Sequence, residues 1–152
     1  MKFMLAYDGS EFSDRALERV LAIIQNQPEE GEKHSLTVVT VANELPPIDV
    51  FTEAAELEEI NQKKLEQARK MLEERVAPTL SQTENNTKNP LHYSLEVLQD
   101  SDPRECLLRY VQEHDVDCCV VGSRGLSGLD RVFGSVTRYL LSYATCSLLI
   151  IK

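Results

Sequence analysis

The chain has little of what would mark a redox, metal or membrane protein. Its four cysteines, Cys106, Cys118, Cys119 and Cys146, form no CxxC pair, so neither a dithiol motif nor a zinc knuckle is indicated. The vicinal pair Cys118-Cys119 lies in an apolar run, where free cysteine behaves as a small hydrophobe. His34, His92 and His114 are scattered without ligand spacing, which leaves a metal site without support. No apolar run approaches the roughly 18 residues of a membrane helix. The opening MKFMLAYDGS has one basic residue followed by five apolar or aromatic ones before Asp8, too short a core for a secretory signal. The expectation is a soluble, cytosolic protein without membrane partners. The acceptor sequence Asn85-Asn86-Thr87 carries no weight without a secretory route.

Positive charge is also scarce. Sixteen Lys and Arg stand against 25 Asp and Glu, a formal net charge of −9. A chain of that sign repels phosphate backbones, which argues against nucleic acid as a partner. A small basic pocket is still compatible with it, because Arg124, Arg131 and Arg138 lie close together in sequence. The 152 residues, 42% hydrophobic and 27% charged, have the length and composition of a single globular domain spanning residues 1–152.

What is present is a repeated alternation. Five short apolar runs occur at Phe3–Tyr7, Leu36–Val41, Leu91–Leu98, Cys118–Val121 and Ser147–Ile151. Four are nearly continuous, as in strands buried on both faces of a parallel sheet. LHYSLEVL alternates instead, which predicts a less completely covered strand. Helical periodicity fills the gaps. Residues 13–25 put Ala16, Leu17, Val20, Leu21 and Ile24 on one face; residues 53–76 do the same with Leu57, Ile60, Leu65, Ala68, Leu72 and Val76. Residues 103–113 turn Leu107, Leu108 and Val111 inward, behind Asp102 as N-cap, Pro103 at the first helical position and Glu105 closing a capping box. Residues 136–144 turn Val136, Tyr139, Leu140 and Tyr143 inward, with Ser135 able to cap. Ala42–Thr52 and the polar Ser81–Pro90 read as irregular. The order β-α-β-α-β-α-β-α-β predicts a doubly wound α/β domain, a five-stranded parallel sheet with helices on both faces.

In such sheets ligands bind at the carboxyl ends of the strands. DGSEFS, VANE and the loop GSRGLSGLDRVFGS should meet there. That loop holds four of the six glycines and two arginines in fourteen residues. Gly122 and Gly125 would let backbone approach an anion. Gly134-Ser135 would lead into a helix whose unpaired amides favour negative charge, with Arg124 or Arg131 adding charge. Loop composition alone weighs equally for glycines that merely make turns and a Ser135 that merely caps. Asp8, directly after the first strand, suits a ribose hydroxyl or a base amine, and equally a turn that caps the first helix. Val41 reads first as core, although its backbone could also bond a flat heterocycle.

MLAYDGSEFSDRALERV, DPRECLLRYVQEHDVDCCVVGSRGLSGLDRVFGSVTRYLL and the terminal SLLIIK together resemble the universal stress protein family. The likeness covers nearly the whole chain, thinnest through residues 45–90, and is most specific at GSRGLSGL followed by GSV. It implies a Rossmann-like fold with strand order 3-2-1-4-5, of the adenine nucleotide alpha hydrolase-like kind. In nucleotide-binding members it also implies ATP, with or without Mg2+, held by an aspartate after strand one, the end of strand two and a GxxGx9G(S/T) loop. Carried over, it assigns Asp8 and Val41 to the adenosine and Gly122, Gly125, Gly134 and Ser135 to the phosphates. It further implies a homodimer joined through Ser147–Ile151, an apolar edge that needs covering in any case. One departure stands out: between Gly125 and Gly134 lie the eight residues LSGLDRVF where the motif has nine, a difference of up to about 3.5 Å of chain.

The expected function is ATP binding in a stress or regulatory role with little or no turnover, since no GxxxxGK[ST] supplies a phosphate-binding lysine. The alternative is a dimeric interaction module that keeps the fold and not the nucleotide, motivated by the short loop and the acidic stretch Glu53–Glu59. A phosphoacceptor domain fits poorly, because Asp8 lacks the acidic neighbour that such a site needs and Lys152 has no helix after it. A flavin site fits no better, because the loop after the first strand is not rich in hydroxyls and glycines.

Overall fold

A computed structural model of the chain describes residues 1–26, 34–46, 54–86, 91–126 and 133–152. The five apolar runs form strands β1 (Lys2–Ala6), β2 (Ser35–Asn43), β3 (His92–Asp100), β4 (Cys118–Gly122) and β5 (Ser147–Ile151). They pair in parallel in the order β3-β2-β1-β4-β5. The first strand made is the central one, with Phe3 opposite Leu36 on one side and Cys118 on the other.

Strand alternation divides the core into two layers. Phe3, Leu5, Tyr7, Leu36 and Val38 face helix α1 (Glu11–Gln25) and a helical column that begins with α2 (Ala54–Met71). Met4, Val39, Cys119 and Val121 face the opposite way, onto α4 (Pro103–Glu113) and α5 (Ser135–Tyr143). Met4, Leu5, Val38 and Val120 are fully buried, which is why these strands read as continuous hydrophobic runs. In the edge strand β3 no residue is fully buried, as its alternation predicted.

Several boundaries differ from the sequence reading. Helix α1 starts at Glu11, because Ser10 rather than a later residue caps it, its Oγ accepting from the Ser13 amide at 3.2 Å. Ala42 and Asn43, expected to be irregular, extend β2. The predicted helix 53–76 keeps Ala68, Leu72 and Val76 buried, but Ile60 is exposed and Leu57 and Leu65 are only half-buried. It does not end where expected. A π turn spans Leu72–Val76, with the Ala77 amide reaching back five residues to the Leu72 carbonyl, and α3 (Ala77–Asn86) follows without a break. The wider turn stands immediately before Pro78, whose ring would crowd an ordinary helical carbonyl. Leu80 then anchors α3 on the core, so a polar stretch read as a loop is helical through Asn86; residues 87–90 lie outside the described residues.

At α4 the cap holds but the box does not. Asp102 Oδ1 accepts from the Arg104 amide at 2.9 Å. The Asp102 amide donates to Asp100 Oδ1 at 3.0 Å, and Glu105 accepts instead from the Tyr139 hydroxyl. That bond keeps Tyr139 against α4, while Tyr143, expected inward, is 59% exposed. Arg104 beside Asp102 depresses its carboxyl to about 2. Because this folded-state value lies below that of the unfolded chain, the contribution to stability is present above about pH 4 and is lost as pH falls towards 2. Asp102→Ala is expected to lower Tm by roughly 2–4 °C at neutral pH. Asp102→Asn keeps a capping oxygen but loses the charge paired with Arg104, so its Tm should lie between those of Asp102→Ala and the wild type at pH 7 and fall less between pH 4 and 2. Thermal melts followed by circular dichroism check both, and an unchanged acid limb in Asp102→Asn counts against the assignment.

Cys106, Cys118 and Cys119 are buried and all four thiols are free. Burial pushes the Cys119 thiol well above its ordinary range, as expected of a core residue.

Candidate functional site

The carboxyl ends of β1, β2 and β4 open into a cleft of about 680 Å³. Asp8, Val41, Gly122, Arg124, Gly125, Gly134 and Ser135 all line it, so the fold brings these seven residues of the sequence reading to one cleft. Of the two remaining arginines, Arg138 is exposed on α5 and is not among the lining residues. Arg131 lies outside the described residues.

Asp8 sits where β1 leaves the sheet. The Tyr7 amide still bonds the Val39 carbonyl at 2.9 Å, and the buried Thr40 hydroxyl donates to the Tyr7 carbonyl at 2.8 Å. Together these fix the last residue before Asp8. The Ser10 amide then donates to Asp8 Oδ1 at 3.0 Å, closing an Asx turn. The helix cap that sequence offered to Asp8 belongs to Ser10, which leaves Asp8 Oδ2 directed at the glycine loop. A Cβ on Gly125 would lie 2.7 Å from that oxygen. Only a residue without a side chain lets the loop approach the carboxylate so closely.

The loop is anchored at its base. The Ser123 amide donates to the Ile151 carbonyl at 2.6 Å, and the Gly134 amide to the Ser123 carbonyl at 2.8 Å. Thr137, buried in the first turn of α5, donates to the Gly122 carbonyl at 2.8 Å. These bonds hold Gly134 and Ser135 beside Gly125 with eight residues between the two glycines. Helix α5 begins with Gly134 as N-cap and no side-chain cap. Ser135 therefore does not play the capping role that sequence alone allowed, and Ser135, Val136 and Thr137, the first turn of α5, line the cleft with no side-chain cap on the helix.

Charge at the cleft runs against that of the whole chain. Among the described lining residues, Lys64 and Arg124 are cationic and Asp8 is the one carboxylate, on a chain of net −9. Arg124 lies over the Phe12 ring, 5.8 Å from its centroid. Lys64 donates to the Asn43 carbonyl at 3.0 Å. Neither Lys64 nor the neighbouring Gln67 and Met71 stands out by motif or spacing, because their place follows from how α2 crosses the end of β2. Val41 is half-buried at the cleft wall, both core and lining. Among the described residues, no group of three or more His, Cys, Asp or Glu is arranged to hold a metal ion, and no helix is long and apolar enough to cross a membrane.

The model of the universal stress protein family matches residues 1–152. The chain belongs to this family. Universal stress protein YxiE of Bacillus subtilis is 28% identical over 159 residues, covering 99% of this chain and 98% of that protein. Among solved structures, universal stress protein UspA from Lactobacillus plantarum superposes with a TM-score of 0.75 at 18% identity, covering 100% of this chain and 97% of that one. A family member from Arabidopsis thaliana with AMP bound superposes with a TM-score of 0.60 at 19% identity, covering 100% and 90%. The parallel sheet with helices on both faces thus agrees with the reading of the residues, and the strand order and family membership agree with the resemblance.

Proposed function

We propose that the cleft binds an adenine nucleotide, ATP with or without Mg2+, and that the protein is a cytoplasmic dimer acting in a stress response or in regulation with little or no turnover. The observation that carries this reading is the packing of Gly125 onto Asp8 within a cleft holding two cations and one carboxylate. A ribose or base can donate to Asp8 while phosphates meet the loop amides, the start of α5 and Arg124. The Arabidopsis relative with AMP bound supports an adenine nucleotide as the ligand class. Dimerisation through β5 is supported by the strand's position at the sheet edge and its half-buried Leu148, Leu149, Ile150 and Ile151. Leu141 and Tyr143, both more than half exposed, lie on the preceding helix.

A second reading, an interaction module that keeps the fold without the nucleotide, is favoured by the eight-residue spacing and by the acidic stretch that leads into α2. One preparation separates the two. Protein purified without added nucleotide is denatured, and the released small molecules are identified by chromatography and mass. Near-stoichiometric ATP is expected. A preparation that is empty and also fails to bind added ATP–magnesium sinks the nucleotide reading. Sedimentation of the native sample should give twice the mass of one chain; a monomer at micromolar concentration sinks the dimer.

A further inference from the structure

Behind the candidate ligand contacts stands a residue that no motif singles out. Arg75 lies within the π turn Leu72–Val76. From there it reaches across to the β1–α1 turn, donating to the Gly9 carbonyl at 2.7 Å and to Asp14 Oδ2 at 2.5 Å. Its guanidinium also lies over the Tyr7 ring, 6.0 Å from the centroid. The Tyr7 hydroxyl in turn donates to Asp14 Oδ1, so both oxygens of Asp14 are used and the arginine is held from two sides. Burial and the Asp14 carboxylate raise the Tyr7 hydroxyl far above its ordinary range.

The Gly9 carbonyl that Arg75 grips belongs to the same peptide unit as the Ser10 amide. That amide is the one donating to Asp8 Oδ1. A single planar unit therefore carries the guanidinium on one side and the cleft carboxylate on the other. Turning its carbonyl away from Arg75 turns its N–H away from Asp8. A cation on the carbonyl also polarises the unit and strengthens its N–H as a donor. The unit has little freedom elsewhere. Gly9 is held at φ +78°, and a Cβ there would meet Met71 Sδ at 2.6 Å, so the helical column bears directly on the turn.

We propose that Arg75 is a positioning residue, which by orienting the Gly9–Ser10 peptide aims Asp8 Oδ2 at a ribose hydroxyl and so makes the cleft select ribonucleotides over nucleotides lacking those hydroxyls. This rests on the nucleotide reading of the cleft. Its side chain is 45% exposed and its partner Asp14 is 40% exposed, so the ion pair adds little to stability. Its effect lies in geometry. Arg75→Met should therefore melt close to the wild type while losing selectivity.

The test compares ATP with 2′,3′-dideoxyATP on the full chain by titration calorimetry. The wild type is expected to prefer ATP by about tenfold, the worth of one charge-assisted hydrogen bond. Arg75→Met should lose most of that preference with its Kd for 2′,3′-dideoxyATP unchanged within about twofold. Arg75→Lys, which keeps the charge but cannot span both acceptors, should fall between. In the ligand-free protein, amide exchange at Ser10 should be about tenfold faster in Arg75→Met. An undiminished preference in Arg75→Met, or an equal loss of affinity for both nucleotides, overturns the positioning role. If the wild type binds neither nucleotide, the nucleotide reading fails and selectivity with it. The Ser10 exchange rate then decides alone whether Arg75 orients the turn, and an unchanged rate overturns that too.

Discussion

Gly122→Val is expected to cost about 3 kcal/mol and to lower Tm by roughly 6–12 °C, whether or not nucleotide is present. A Cβ at this position would lie 2.7 Å from Phe12 Cβ and 2.9 Å from the Phe12 backbone carbonyl carbon. A rotamer change cannot relieve a clash with backbone; α1 would have to move off the end of β4. The Gly122 carbonyl is also the acceptor for the buried Thr137 hydroxyl, so the shift would spread to α5. Gly134→Ala is the control, because a Cβ there meets nothing closer than 3.5 Å; its Tm should stay within about 2 °C. Differential scanning calorimetry on both variants decides the matter. A Gly122→Val protein that melts like the wild type would mean that Phe12 does not pack as described. The consequence for design is practical: loss of ligand binding in a Gly122 variant reports on the fold and not on the phosphates, whereas Gly125→Ala perturbs the Asp8 carboxylate directly.

The second large effect is expected at Asp8. Asp8→Asn should weaken ATP binding at least tenfold, in line with the roughly 1.5–3 kcal/mol of a hydrogen bond to a charged group, while leaving Tm within about 2 °C. The reason is the division of labour between the two carboxylate oxygens. One closes the turn with the Ser10 amide and the other faces Gly125. Asparagine has one oxygen, so satisfying the turn leaves an NH₂ group towards the cleft, where a ribose hydroxyl needs an acceptor. Unchanged affinity would remove Asp8 from the ligand contacts. A collapse of Tm would show instead that the carboxylate serves the turn alone.

What could be read from the sequence depended on how far apart the cooperating groups lie. Strands such as Cys118–Val121 announce themselves, because burial on both faces leaves no polar position to interrupt the run. The lining role of Gly125 was accessible, since the strand-end rule and the glycine content point to the same place. The capping box at Glu105 was not, because its competitor, the Tyr139 hydroxyl, is 34 residues away. The helix through Asn86 was missed for a related reason. Pro78 and the polar run after it argue for a break, and the π turn that accommodates the proline leaves no mark in hydrophobic period. Lys64 and Arg75 look like ordinary solvated charges on an amphipathic helix. Only the path of that helix across the strand ends gives them partners 21 and 66 residues away.

The strand order also sets a timetable for synthesis. The central strand is made first, yet its neighbour β4 begins 115 residues later, Phe3 waiting for Cys118. At about 5–20 residues per second, that interval is roughly 6–23 s. During it β1 can take β2 as a partner, Phe3 against Leu36, while its other edge, carrying Met4 and Leu5, stays open on the ribosome. The cleft completes later still, since Gly134 and Ser135 follow β4. On the nucleotide reading proposed above, a ligand could therefore act only once β4 and the start of α5 are made, favouring the last docking steps of this fold without guiding the first.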